Sequence, residues 1–530
     1  MLLIVGLDGA TFDLLLPWLA EGHLPTMARW RQEGVSAPLT STMPPVTPAA
    51  WATFMSGKNP GKHGIFDFFH PRSPDLDKPQ LVNMTDMKAR PFWDYLADAG
   101  RRVGVLNVPL TYPPRPVNGF LVPGLLSPDE GATTFPPDLL TPYRAELGPY
   151  RLVPHQHYHP RRIDDYVADL RRVTETQIQY ALRIVQDHPV DFLIIHFLAP
   201  DLAQHKLWHT QDKTHPWYRP ELWARYGTVI REIFAQIDRG LAALLALLPA
   251  DTAVILMSDH GFGSQHEVVN LNNYLLQTGL MSLKPEADVR LRAWSARQKG
   301  LSGAAARLAR WRGRERLLGF ADVDWGRTRA YARGHMGQVY LNLQGREPQG
   351  IVPADDYHTV RDEISGLLRS LRHPDGERPL VQTIIPREAA AHGPYLANGP
   401  DLHLIMDDYH TLAYPLFAAD GRLVTQQRLV DSGNHRLEGI FVAAGPDIQR
   451  GGAIQGARLL DIAPTALHWL GVPLPDDLDG RVLTEIFTVE FNGRHPLTYQ
   501  PAQAAGSAPA SLPDAAQAEL IERLRNLGYL

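Results

Sequence analysis

Leu2-Leu3-Ile4-Val5-Gly6-Leu7-Asp8-Gly9 is a short apolar run that ends in a carboxylate and a glycine. A continuous apolar run of this length suits a central parallel strand, buried on both faces, whose C-terminal end delivers Asp8 into a loop. The pattern recurs. Asp191-Phe192-Leu193-Ile194-Ile195-His196-Phe197 is followed at once by Leu198-Ala199-Pro200-Asp201-Leu202-Ala203-Gln204-His205, and Ala253-Val254-Ile255-Leu256-Met257-Ser258 runs into Asp259-His260-Gly261. Helical stretches alternate with these runs. One begins at Leu24 and stops at Gly34, one spans Pro91 to Ala99, one runs from Arg161 to Gln186 and one from Arg225 to Leu248. Alternation of this kind predicts an α/β fold with a mostly parallel central sheet and helices on both faces. Ligands collect at the carboxyl ends of strands in such sheets.

The alternation weakens after Leu280 and returns with Asn434-His435 and a strand from Gly439 to Ala444. The chain is therefore divided into a first part of the core at 1–280, an inserted cap at 281–399, a second part of the core at 400–490, and a linker with a C-terminal helix at 491–530. Within the insertion, Arg307, Arg310, Arg312, Arg314 and Arg316 mark a helical segment. A solvated helix face accounts for it more simply than an anion-binding surface. The proline-rich stretch from Pro109 to about Pro160 reads as irregular cover over the sheet edge.

Composition removes several classes of function. A net charge of -5 gives no overall basic footprint for nucleic acid. The 530 residues contain no cysteine, which excludes disulfides, thiolate metal sites and cysteine nucleophiles. No apolar run reaches the roughly 18 residues of a membrane span. The N-terminal run lacks a basic flank and reads as a strand rather than a signal peptide, so a cytoplasmic location is expected.

A second stretch completes the site. In Pro44-Pro45-Val46-Thr47-Pro48-Ala49-Ala50-Trp51, continuing to Ser56-Gly57, Thr47 stands where a helix N-cap belongs and Pro48 at the first helical position. A hydroxyl there sits beside the N–H groups and partial positive charge of a helix N-terminus, a place for phosphate. Around it gather Asp8, Asp201, Asp259, His205, His260 and His435. Asp201 and His205 share a helical face at i, i+4 spacing. With 22 histidines in the chain, one such pair can arise by chance. Three acids and three histidines at the ends of several strands are harder to explain without a cation, because close carboxylates repel. This oxygen and nitrogen set can hold two divalent ions, with zinc suited and manganese possible. Two such ions can clamp the attacking and leaving oxygens of an in-line phosphoryl displacement.

In these pieces the chain resembles the alkaline phosphatase superfamily and, within it, the type I phosphodiesterase/nucleotide pyrophosphatase family. The resemblance is carried by Gly6-Leu7-Asp8-Gly9, the Pro45-Val46-Thr47-Pro48 loop, Ser56-Gly57, His63-Gly64-Ile65, Asp201 to His205, Ser258-Asp259-His260-Gly261 and Asn434-His435. It implies that Asp201, His205 and His435 bind one zinc. It likewise implies that Asp8, Asp259 and His260 bind the other, with Thr47 as the coordinated nucleophile that forms a phosphothreonine intermediate. The expected substrate is a small phosphorylated molecule with a phosphodiester or pyrophosphate bond. The sequence departs from the family at Asp67, where relatives place an asparagine that holds a phosphoryl oxygen, and an ionised carboxylate cannot donate there. For His63, His196 and His209, which lie near the motifs, a structural role is the simpler reading. A phosphomonoesterase or phosphonate hydrolase would use the same site, and a metal-containing binding protein would keep the residues without turnover.

Overall fold

The structure is a computed structural model that describes residues 1–71, 76–77, 79–128, 130, 133–286, 289, 318–376, 378–415, 417, 422–425, 431–505 and 514–527. Among the described residues the main sheet has nine strands. Six of them are labelled in chain order: β1 Leu2–Leu7, β2 Val35–Thr40, β3 Val103–Leu106, β4 Gly119–Val122, β5 Phe192–Phe197 and β6 Ala253–Met257. The strand Glu438–Ala444 lies between β2 and β6, and the order across the sheet continues β6, β1, β5, β3, β4. Two short strands, Gly452–Ala453 and Ala457–Arg458, pair with β2 at the far edge.

β1 occupies the middle and is buried along its whole length. Each of its large aliphatic side chains contributes about 1.5–3 kcal/mol on burial. It pairs in parallel with β5 and β6, Leu7 opposite Phe197 and Gly6 opposite Met257. Because the three strands run the same way and end level, the residues that follow them emerge at one edge. Gly6 is needed for the layer above: a Cβ there would lie 2.5 Å from the ring of Trp51, which is fully buried against the sheet.

Several expectations are refined. Glu438–Ala444 runs antiparallel to both neighbours, which an apolar run alone cannot reveal. The stretch Pro109 to Pro160 is not all irregular, since β4 forms the sheet edge beside β3. The single helix expected from Arg225 to Leu248 is two, Pro220–Tyr226 and Val229–Leu245, parted at Gly227 and Thr228. The arginine-rich segment lies outside the described residues.

A second sheet of four strands, in the order Val381–Pro386, Leu402–Met406, Gln338–Leu341, Ala330–Ala332, packs with the Tyr357–Arg369 helix around its own apolar cluster, which includes Val339, Leu341, Ile364, Leu368 and Leu402. Among the described residues no helix is long and apolar enough to cross a membrane.

Candidate metal centre

The three acids that follow β1, β5 and β6 meet at the shared edge of the sheet. Asp8 stands directly after β1, Asp259 follows β6 with Ser258 between, and Asp201 and His205 lie on the Ala199–Gln211 helix that follows β5. His435 comes from the short strand Gly433–Arg436, which pairs with Gly261–Ser264 immediately after His260. All six side chains are buried.

They form two adjoining groups. His205 Nε2 lies 3.4 Å from Asp201 Oδ1, His435 Nε2 lies 3.3 Å from the same oxygen, and the two imidazole nitrogens are 3.0 Å apart. In the second group His260 Nε2 is 3.4 Å from Asp8 Oδ1 and 3.3 Å from Asp259 Oδ2. The His260 and His435 rings stack at 3.6 Å, so the groups share a wall. Ligand atoms of Asp201, His260 and His435 also converge closely enough for one ion, which puts His260 on the border of both.

Each histidine is oriented through its other nitrogen. Nδ1 of His205 donates to Gly433 O at 3.0 Å, Nδ1 of His435 to Pro45 O at 2.8 Å, and Nδ1 of His260 to Gly261 O at 3.1 Å. A carbonyl can only accept, so the protons sit on Nδ1 and the Nε2 lone pairs face inward, the arrangement a metal ligand requires. The fit is supported by what is left over. Asp8 Oδ1, Asp259 Oδ2, His260 Nε2 and Thr47 Oγ1 are buried without hydrogen-bond partners. Burying such groups unsatisfied costs about 1–3 kcal/mol each, and more for charged groups. A cation removes that cost for the carboxylates and the imidazole together.

Thr47 is not the N-cap. The Thr47–Ser56 helix is capped by Val46, whose backbone is extended, and no side chain makes a capping bond. Thr47 is the first helical residue and Pro48 the second. The hydroxyl is therefore not spent on the helix it begins. The helix is tied to the centre on both sides of Thr47: Pro45 O holds His435, and Trp51, one turn on, donates Nε1–H to Asp8 Oδ2 at 3.4 Å. Gly57 ends the helix in the left-handed region at φ 64°, as a C-terminal glycine does.

The electrostatics follow from crowding. Burial, and then the charge of Asp201, push Asp8 well above the ordinary carboxylate range; burial, and then Asp8 and Asp201, do the same to Asp259. Burial would raise Asp201 as well, but His205 and His435 outweigh it and hold Asp201 well below its usual value. Burial keeps His260 and His435 neutral-prone, lowering both. Stability contributed by the raised Asp8 and Asp259 is fully present below the unfolded carboxylate value of about 4 and is lost as pH rises through their elevated folded values. A divalent ion needs both carboxyls ionised and competes with those protons. Metal affinity is expected to strengthen as pH rises above the ordinary carboxylate range, with proton release, and the metal-induced rise in Tm to be larger at the higher pH. Calorimetric titrations in buffers of different ionisation enthalpy check this, and a pH-independent affinity would sink it.

His196 belongs to the centre, against the structural reading its sequence position suggested. Its Nδ1 donates to Asn107 O at 2.9 Å and its Nε2 lies 2.8 Å from Asp8 Oδ2. Burial lowers its pKa to about 3, so the neutral ring, its one proton on Nδ1, accepts at Nε2 from the protonated Asp8 carboxyl, and with Trp51 it fixes that oxygen of Asp8 in place. Its place inside the apolar strand β5, opposite Gly6 of β1, gave no spacing signal. His196→Phe is expected to weaken metal binding by about 10–100-fold with little change in the fold; equal metal affinity in a competition titration with a chelator would show that Asp8 needs no such support. His63 is structural, bonded at 2.9 Å to Thr53 Oγ1 and accepting from Ile65 N at 3.2 Å. His209 packs near His215 and Trp217, and is not among the side chains brought together here.

Asp67 is buried and engaged. Oδ1 accepts from Phe68 N and Oδ2 from Gln338 Nε2, both at 2.7 Å, and burial raises its pKa. Gln338 is itself fixed, because its Oε1 accepts from Met336 N at 3.0 Å. Asp67→Asn would set an amide against the Gln338 amide. A loss of about 1–3 kcal/mol is expected; an unchanged Tm would show that the Gln338 contact carries no weight.

The two adjoining groups of oxygen and nitrogen donors at the sheet edge could hold metal ions, and comparison with known proteins supplies the class. The family model of type I phosphodiesterase/nucleotide pyrophosphatase matches residues 2–415. The chain belongs to that family and is a hydrolase of the phosphodiesterase/nucleotide pyrophosphatase kind. A search of curated proteins gives no match. Among solved structures, murine ectonucleotide pyrophosphatase/phosphodiesterase 5 (ENPP5) is similar at 14% identity and a TM-score of 0.49, covering 92% of this chain and 100% of its own. An inactive form of the murine protein in complex with AMP is similar at 15% identity and a TM-score of 0.49, covering 92% and 99%. The human protein is similar at 15% identity and a TM-score of 0.48, covering 89% and 95%.

Proposed function

We propose that this hydrolase cleaves phosphodiester or pyrophosphate bonds of small substrates in two displacements, with Thr47 Oγ1 as the first nucleophile. The observation that carries the proposal is the set of buried, unpartnered atoms on Thr47, Asp8, Asp259 and His260 at one sheet edge. In the first displacement the Thr47 Oγ1–P bond forms and the P–O bond to the leaving group breaks, the Thr47 proton departing as the leaving group takes one up. In the second, the oxygen of water bonds to the same phosphorus as the Thr47 Oγ1–P bond breaks, and a proton from that water returns to Thr47. Asp201, His205 and His435 would hold one divalent ion, zinc or manganese, and Asp8, Asp259 and His260 a second. When bound, the ions polarise the phosphoryl oxygens and favour the ionised hydroxyl of Thr47. The chain's own work is orientation: three backbone carbonyls set the imidazoles, His196 and Trp51 set Asp8, and the Thr47–Ser56 helix presents its N-terminal end to phosphate.

The test is hydrolysis of bis-p-nitrophenyl phosphate against p-nitrophenyl phosphate after reconstitution with zinc or manganese. Preference for the diester is expected. A preference for the monoester would move the assignment to a phosphomonoesterase, and no turnover of either by metal-loaded protein would contradict the reading.

A further inference from the structure

The turn that joins Ala330–Ala332 to Gln338–Leu341 in the second sheet reaches across to the Thr47–Ser56 helix. It runs Arg333-Gly334-His335-Met336-Gly337, with Gly334 and Gly337 in the left-handed region at φ 85° and 76°. A Cβ on Gly334 would lie 2.4 Å from Asp67 Oδ2, so a glycine is what lets the turn close onto Asp67. Met336 is buried in one apolar cluster with Tyr414, Val46 and Ala49, the last two standing either side of Thr47 and Pro48.

Between the buried Gly334 and Met336, His335 is partly exposed. It nevertheless lies deep within the molecule, so its exposure is to a cleft rather than to the outer surface. The ring meets Tyr414 edge-on at 5.0 Å, and among the described residues neither of its nitrogens makes a hydrogen bond. Burial lowers its pKa, and Asp67 and then Asp431 act against burial without overcoming it. The ring is therefore neutral, with one N–H to give. Asp431 Oδ2 is 3.8 Å from His205 Nδ1. His335 thus stands between Asp67 and the His205 side of the metal centre, beside the cluster that carries Thr47. An anion is tolerated there. Asp431 is paired with Lys206 Nζ at 2.6 Å, and burial raises the pKa of Asp67. Arg333, the nearest cation in the turn, is spent on the carbonyls of His70 and Pro71 at 3.1 and 3.3 Å.

We propose that His335 is a catalytic residue that gives its ring N–H to an oxygen of the phosphoryl group while Thr47 Oγ1 attacks. This rests on the reading of Thr47 as nucleophile. A donor fixed beforehand at a group that gains charge in the transition state stabilises that state without reorganising.

The experiment compares full-length wild type, His335→Phe, His335→Gln and His335→Asn, each loaded with zinc. Phenylalanine keeps an edge-on contact with Tyr414 and removes the N–H, whereas glutamine and asparagine bring an amide N–H near the places of Nε2 and Nδ1. With bis-p-nitrophenyl phosphate, His335→Phe is expected to lower kcat by about 100-fold with KM little changed, and the better amide variant to regain at least about tenfold. Orthovanadate, which takes the five-coordinate geometry of the transition state, is expected to bind His335→Phe at least about tenfold more weakly than wild type by calorimetry, with metal content and thermal unfolding unchanged. Near wild-type turnover and vanadate affinity in His335→Phe overturn the proposal. So does an equal loss in all three variants, or a loss of metal, either of which marks a structural role. A wild type that binds vanadate but cleaves no diester contradicts the phosphodiester reading and leaves the vanadate comparison to decide His335. A wild type that binds no vanadate overturns the proposal.

Discussion

Replacing Thr47 by alanine is expected to abolish phosphodiester hydrolysis while leaving metal content and fold intact. Removing the nucleophile of a covalent mechanism costs about 10³–10⁶ in kcat in enzymes where it has been isolated. The fold should tolerate the change because the hydroxyl makes no hydrogen bond and does not cap the helix. Alanine is also a better helix former than threonine, by up to about 0.7 kcal/mol. Had Thr47 been the N-cap, the same substitution would have cost about 1 kcal/mol. Steady-state rates with thermal unfolding on one preparation check both halves, and a Thr47→Ala protein with near wild-type turnover would remove Thr47 from the mechanism.

The second large effect is expected at His260, which borders both ligand groups. His260→Ala deletes the imidazole that lies within 3.4 Å of both Asp8 and Asp259, and the ring that stacks on His435. It leaves the Asp8 and Asp259 carboxyls without the neutral nitrogen donor that completes their group. Loss of one metal ion per chain and a fall in turnover of about 100-fold or more are expected, since even supporting residues of metal sites change affinity by about 10–100-fold. Elemental analysis beside the assay checks this. Two ions retained with full activity would show that His260 is a wall of the centre and not a ligand.

Much of this was legible in the sequence, for a physical reason. A buried parallel strand writes itself as an unbroken apolar run, and function at its carboxyl end places an acid next to that run. The β1-Asp8, β5-Asp201 and β6-Asp259-His260 stretches all carry both marks. What escaped depends on partners distant in the chain. The antiparallel direction of Glu438–Ala444 is set by its pairing with β2 and β6 and leaves no mark on its own pattern. His196 gains its role from Asp8, 188 residues away. The cap assignment for Thr47 failed by one residue, because Val46 can take the extended conformation that begins the helix, and that single step leaves the hydroxyl without a partner. The partner of Asp67 lies in the second sheet, where Gln338 donates to it from 271 residues away.

The central claim is attack by Thr47, and the stereochemical course at phosphorus tests it most directly. Two successive in-line displacements invert phosphorus twice. Hydrolysis of a diester made chiral with sulfur and oxygen isotopes is therefore predicted to proceed with overall retention of configuration. Inversion would mean that water attacks in a single displacement and that Thr47 is not the nucleophile.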